Sequence, residues 1–318
     1  MRVGQSWVFG LLMCFGGGLD YSLAEEGGSG HYMPGSMSSF VDSVAPKPTF
    51  LARYNLLNYS GERSLSMPIA GLTAETVDAD SWANGLTLFW RPDWGSINDT
   101  WGYAMSVSIP YVNMKVSADV EGGGGAVLRR TDREQGLGDV IFQPLMFNQH
   151  LNESLNINYR LSVYAPTGDY KVGRLANPGK NYWSIEPTVG VMYFNPSNGR
   201  ECSFFTGLTI NTENAATQYQ TGTQLHFENT VAQHFPLKGG LAGIGFNAFF
   251  YQQVEGDRGA GASFGDFKGR SYGVGPVLSY STKVDDHPLT AEFKWLPEIE
   301  TKNRLKGNSV WLKVLYTF

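Results

Sequence analysis

Five histidines and a handful of charges set into otherwise uncharged stretches are the residues of this sequence that could do chemistry. His226 and His234 share one face of an extended stretch but stand eight residues apart. At roughly 3.3 Å per residue that is too far along a strand to share one metal, so they read as polar lining. No histidine is followed two places later by serine, and no other spacing sets a nucleophile beside a base. No catalytic residue, metal or cofactor is therefore expected. The glycines of residues 122–125 precede no helix signal, which argues against a phosphate cradle. Asp257, Gly259, Gly261, Gly265 and Asp266 hint at calcium, but with so few carboxylates a solvated loop is the expectation. What remains is a group carrying both charge signs: Arg160, Tyr164, Glu186, His226, Glu228, Glu292, Lys294 and Lys313. Each stands on the polar side of a stretch whose other side is apolar. Their chemistry would be electrostatic, either pairing with one another or selecting a solute.

The elements that must position these charges are read from the alternation itself. Leu155, Ile157, Tyr159, Leu161 and Val163 oppose Asn156, Asn158, Arg160, Ser162 and Tyr164, a period of two that makes one strand face apolar and the other wet. Cys202, Phe204, Leu208 and Ile210 oppose Ser203, Phe205, Gly207 and Thr209 in the same way. Twelve such segments are recognisable: 50–59, 82–91, 101–120, 137–147, 155–164, 183–193, 202–210, 225–235, 244–250, 272–280, 289–295 and 310–318. In the third, the apolar row passes from odd to even positions near Pro110, so a bulge is expected at Pro110 and Tyr111, in a strand running beyond the bilayer. Residues 137–147, interrupted by Pro144, leave their facing open. Connectors alternate between long and short, and Trp82, Trp90, Trp101, Tyr182, Trp183, Tyr193, Trp295 and Tyr316 fall at segment ends as two interfacial girdles would require.

With 14% aromatic and only 17% charged residues, yet no apolar run near the roughly 20 residues of a spanning helix, the composition suits membrane strands of about 9–11 residues. Hydrocarbon offers no partner for free backbone groups, so such strands must close on themselves. The expected fold is all-β, a transmembrane antiparallel up-and-down β-barrel of about 12 strands spanning residues 49–318. Residues 1–24 read as a secretory signal peptide, with Arg2, an apolar run and a Ser22-Leu23-Ala24 cleavage site. Its removal leaves one cysteine, Cys202, and therefore no internal disulfide. Residues 25–48, rich in Gly and Pro, show no period. They are expected to fold back into the lumen as a plug or latch led by His31, Tyr32 and Pro34. At the other end Val314, Tyr316 and Phe318 lie on one strand face, suited to an assembly signal for the barrel-assembly machinery. A net charge of −5 gives no reason to expect a nucleic-acid partner.

Short motifs strengthen this picture. Gly30-His31-Tyr32-Met33-Pro34-Gly35, Gly136-Leu137-Gly138-Asp139, Gln143-Pro144, Ala165-Pro166-Thr167-Gly168-Asp169-Tyr170, Asn177-Pro178-Gly179-Lys180-Asn181-Tyr182-Trp183, Thr217-Gln218-Tyr219-Gln220-Thr221-Gly222 and Val274-Gly275-Pro276 resemble, in that order, the outer-membrane family labelled for the meta-pathway of phenol degradation, which includes SphA-like proteins. The resemblance implies a Gram-negative outer-membrane barrel associated with uptake of aromatic or other hydrophobic compounds, and it brings no binding residues with it. The expected partners are outer-membrane lipid, the assembly machinery and a small hydrophobic or aromatic solute. A non-transporting barrel, structural or adhesive through its long loops, is the competing class. Uptake of a labelled aromatic compound by a knockout against a complemented strain separates the two.

Overall fold

The computed structural model describes residues 25–318 apart from 65, 122–126 and 264, so the leader and the glycine run at 122–125 lie outside the described residues. Fourteen strands form one antiparallel sheet: β1 (Thr49–Arg63), β2 (Met67–Ile69), β3 (Leu72–Arg91), β4 (Trp101–Glu121), β5 (Val127–Leu137), β6 (Val140–Asn152), β7 (Leu155–Ala165), β8 (Ser184–Asn195), β9 (Arg200–Asn211), β10 (Gln224–Leu237), β11 (Gly240–Gln253), β12 (Arg270–Val284), β13 (His287–Lys302) and β14 (Lys306–Thr317). Twelve of them close a ring in the order β1, β3, β4, β6 to β14, with β14 returning to β1. The two extra strands, β2 and β5, flank the tall ends of β3 and β4. The seam pairs Leu51 with Thr317, Tyr54 with Val314 and Glu62 with Lys306. It ends where the Phe318 N–H donates to the Phe50 carbonyl at 3.0 Å. No sheet edge faces lipid along this seam, which removes the cost of unpaired backbone in hydrocarbon.

The outer belt is apolar: Leu86, Ile185, Val189, Ile244, Phe246, Val274, Leu278 and Phe293 point outward and are exposed. Trp82, Trp90, Trp183 and Trp295 are each nearly half exposed on the same surface. Tyr182 departs from the expected girdle; it is buried within the barrel. The long connectors, 166–183, 212–223 and 254–269, all lie at one end, and the turns at 153–154, 196–199, 238–239 and 285–286 lie at the other, which sets the turn end in the periplasm and the loop end outside.

The proline expectations resolve in opposite ways. At Pro110 there is no bulge: β3 and β4 pair without a break from Trp82–Asn113 to Trp90–Met105, including Gly85 with Pro110. Even-numbered residues of β4 face inward throughout; what changes is the surroundings. Up to Ser108, β4 borders β6 within the membrane, and from Tyr111 it borders β5 beyond it. Outward residues accordingly turn from Val107 and Ile109 to Asn113, Lys115 and Ser117, while Val116 and Ala118 pack inside. Solvent has replaced lipid, so the apolar row has moved to the interior. The bulge lies instead at Gln143 and Pro144, where register shifts against both β4 and β7. An extra residue there lets a proline sit in a strand and settles the facing of β6, with Gln143 and then Met146 and Asn148 turned inward. The tall ends of β3 and β4, with β2 and the loop 166–183, cover a dry cluster of Met67, Ile69, Val77, Val116, Leu175 and Leu305 above the barrel. Residues 60–63, 72–81, 127–136 and 296–302, which lie between the segments read from sequence, are thus strand.

Candidate functional site: the lumen and the segment threading it

Residues 25–48 run up the inside of the barrel from Thr49 at the turn end to Glu25 among the long loops, bonded to inward-facing side chains at each level. Two short 3-10 turns, Glu26–Gly28 and Phe40–Asp42, are its regular structure. A segment without a periodic apolar face cannot satisfy its own backbone and must find polar partners when buried.

Those partners include most of the inward charges. The Tyr32 hydroxyl donates to Glu228 Oε1 at 2.8 Å, and the Gly35 N–H donates to the other oxygen at 3.0 Å. The Tyr32 ring stacks on His226 at 3.8 Å. Lys294 donates to the Gly35 carbonyl at 3.2 Å and to Ser38 Oγ at 2.8 Å, and pairs with Glu292 at 3.0 Å. Lys313 donates to the Ser36 carbonyl at 2.8 Å and to both Asp42 oxygens at 3.1 Å. Ser39 Oγ donates to Glu292, and Arg160 donates to the Asp42 carbonyl. The Pro34 carbonyl accepts from Trp311 Nε1 at 2.7 Å. Glu186 stands one layer back, accepting from Thr209 Oγ1 at 2.6 Å with His226 at 3.6 Å. All eight lumen candidates are buried here. Strand neighbours and the segment hydrogen-bond or ion-pair with each of them, as buried polar groups require.

Sequence reasoning missed several members. Glu201 accepts from the Phe40 N–H at 2.8 Å and pairs with His234 at 2.8 Å; its parity on β9, two before Ser203, could have revealed it. Asp42, bound by Lys313 and by Arg53 at 2.8 Å, lies in a segment with no period and gave no signal. His226 and His234 each have a separate carboxylate, consistent with their spacing.

A Ser-His-Asp chain also appears that no spacing announced. His31 Nδ1 lies 2.6 Å from Ser184 Oγ, and His31 Nε2 lies 2.9 Å from Asp139 Oδ2. Ser184 is fully buried and spends its proton on Asn211 Oδ1 at 2.6 Å, so no substrate carbonyl can reach an activated oxygen. Its role is positional. Asp139 also accepts from the N–H groups of Gly168 at 2.9 Å and Lys180 at 2.7 Å, while His31 stacks on Tyr164 at 4.8 Å. Sequence motifs scattered over residues 30–183 therefore converge on one carboxylate. Gly168 and Gly179 make this possible: a Cβ on either would lie 2.6–2.7 Å from the other's Cα.

The opposite side of the lumen differs. Between the segment (Gly30, His31, Met33) and the wall of β1, β3, β4 and β6 lies a cavity of about 280 Å³. Its wall presents Leu57, Ala83, Gly85, Thr87, Val112 and Ile141, with Arg53 and Lys180 also lining it. A second cavity of about 120 Å³, lined by Tyr59, Ile69, Val77, Met114 and Leu175, shares Met33, Met114 and Lys180 with the first and leads toward the dry cluster at the loop end.

A closed ring of twelve strands with a lipid-matched belt and a polar, filled interior defines a bacterial outer-membrane β-barrel. Within that class the chain belongs to the family described as "Putative MetA-pathway of phenol degradation", which it matches over residues 65–314. The match begins after the threading segment and β1. In fold the chain is similar to an outer membrane channel from Pseudomonas putida F1, at 13% identity and a TM-score of 0.61, with 90% of this chain and 100% of that one covered. It is also similar to the beta domain of the Bordetella autotransporter BrkA, at 11% identity and a TM-score of 0.45 over 86% of this chain and 100% of that one. No curated protein matches it by sequence.

Proposed function

We propose that this barrel admits small hydrophobic or aromatic solutes across the outer membrane, along the crevice between its threading segment and the wall of β1, β3, β4 and β6. The observation that carries the reading is the division of the lumen: charges and the segment fill one side, and on the other the small uncharged residues of β3 and β4 border an open space that Arg53, Asp139 and Lys180 also line. A cavity of about 280 Å³ exceeds the roughly 150 Å³ that holds a benzene ring in an apolar core, so a one-ring compound or a short alkyl chain fits. The family's phenol-pathway label agrees with this solute class. Lipid-like amines are a second candidate class, with the alkyl chain lying in the same crevice. Passage is passive. Residues 25–48 act as the plug, held by His31, Tyr32 and the Pro34 carbonyl. Val314, Tyr316 and Phe318, on the outer face of the closing strand, are the residues offered to the assembly machinery during insertion. No nucleic acid is a partner.

Uptake of labelled aromatic compounds by a deletion strain, against the same strain complemented in trans, tests the transport reading. Faster uptake on complementation supports it. Equal uptake across a panel of one-ring compounds and long-chain amines overturns it in favour of a structural or adhesive barrel.

A further inference from the structure

The first described residue sits in a built pocket. Glu25 is fully buried at the loop end of the lumen, and its backbone nitrogen lies 2.9 Å from Asp257 Oδ2. Asp257, itself 5% exposed, belongs to the loop between β11 and β12. It also accepts from the Tyr219 hydroxyl at 2.5 Å, the Gly222 N–H at 2.9 Å and the Gln253 side chain. The sequence had suggested a solvated loop or a weak calcium ligand; Asp257 is instead buried and engaged, while Asp266 is exposed.

Charge is out of balance at this point. The Glu25 carboxylate accepts from Gln224 at 2.5 Å and from Tyr251, and Arg304 lies 3.5 Å from it, over the Tyr251 ring. Among the described residues no cationic side chain pairs with Asp257. Burial pushes the carboxyls of both Glu25 and Asp257 above their ordinary range, against the hydrogen bonds that hold them down. The backbone is also unusual, because Glu25 has φ +68°, a region that non-glycine residues rarely enter. That angle exists only while residue 24 is attached.

We propose that Asp257, with Tyr219 and Gly222 orienting it, is the binding site for the chain's own mature α-ammonium, created by cleavage between Ala24 and Glu25, and that this buried ion pair latches residues 25–48 at the loop end. The cleavage position is that of the Ser22-Leu23-Ala24 motif. Cleavage supplies the missing positive charge and removes the φ restraint in one step. It also orders the events of assembly. An attached leader holds the start of the chain at the inner membrane, on the turn-end side, whereas the pocket lies at the far end of the lumen; a free end must exist before the segment can thread. The site stands apart from the transport reading, since it concerns the latch whatever the solute.

The experiment uses the mature protein from outer membranes. N-terminal sequencing is expected to give Glu25 first; any other first residue overturns the proposal. Acylation of the α-amine by acetic anhydride near neutral pH, followed on the N-terminal peptide by mass spectrometry, should be at least about tenfold slower in the folded barrel than in the denatured chain. Asp257→Asn should remove that protection, and Tyr219→Phe, which keeps the charge, should retain most of it. Inserting Gly-Ser after Ala24 restores an amide at Glu25 while leaving every pocket residue in place. A noisier, larger single-channel conductance in that variant supports the ammonium as the latch. Unchanged conductance, or equal acylation rates in folded and denatured wild type, overturns it.

Discussion

The two walls of the lumen solve different problems with the same strand geometry. From β7 round to β14, inward positions carry Arg160, Glu186, Glu201, Glu228, Glu292, Lys294 and Lys313, and each is hydrogen-bonded or ion-paired to a neighbour or to the threading segment. Across β3 and β4, inward positions carry Ala83, Gly85, Thr87, Ser108, Pro110 and Val112 and touch a cavity. Ions buried in a narrow barrel demand partners and so draw the segment to one side. Small neutral residues demand nothing, and leave space. Occlusion and permeation can therefore belong to different walls of one lumen, and each can be altered without the other.

Removing residues 27–43 should erase the difference altogether. With the segment gone, both walls face water, and single-channel conductance in planar bilayers should rise several-fold while the barrel still migrates as a heat-modifiable folded species. An unchanged conductance would mean that ions never passed where the segment lies. A smaller but still large effect is expected from Lys313→Met, which strips Asp42 of one of its two basic side-chain partners and leaves a buried carboxylate under-compensated. Breaking one side of a buried pair costs about 3–5 kcal/mol. It should appear as protease cleavage within residues 25–48 and as a lower denaturant midpoint; Asp42→Asn added to Lys313→Met should recover part of the loss.

The open wall should respond in the opposite manner. Ala83→Phe projects a ring into the crevice without touching the charged side, so uptake of a one-ring solute should fall about tenfold, some 1.4 kcal/mol, while protease resistance of the segment stays as in wild type. Equal losses of uptake and of segment docking would show that the walls are not independent.

What the sequence made legible follows from the same physics. Lipid imposes one rule on every second residue, so rows such as Leu155, Ile157 and Leu161 announced the strands, and the inward parity of Glu228, Lys294 and Lys313 announced the buried charges. Where lipid ends the rule reverses. Beyond Pro110 the facing of β4 continues unchanged while Val112, Met114 and Val116 turn from outer to inner chemistry, which imitates a phase slip and suggested a bulge that is absent. The true bulge at Gln143 and Pro144 breaks a short segment in two and left too few residues on either side to read. Asp42 and Glu25 were hidden for a different reason: their segment takes its order from the barrel and has no period of its own. Asp257 sat among glycines that suggested solvent.

The smallest change asks the most of the open wall. Thr87 is buried on β3, accepting from Asn55 Nδ2 at 3.1 Å and sharing a hydrogen bond with Ser108 Oγ at 2.7 Å. Thr87→Val keeps the shape and removes the hydroxyl. Ser108 lines the cavity and can turn toward it, and Asn55 already lies 3.5 Å from the Gly85 carbonyl, so the net cost should stay near 0.5–1.5 kcal/mol. Stability hardly moves, but the wall becomes more apolar exactly where a solute would slide. If the crevice carries hydrophobic compounds, uptake of toluene-like solutes should hold or rise slightly while that of hydroxylated ones falls, a shift in ratio of about two- to fivefold by competition assay. If water and ions use the crevice instead, conductance should drop and the ratio should not change. A side chain differing by one oxygen thus separates a dry path from a wet one along the same strand.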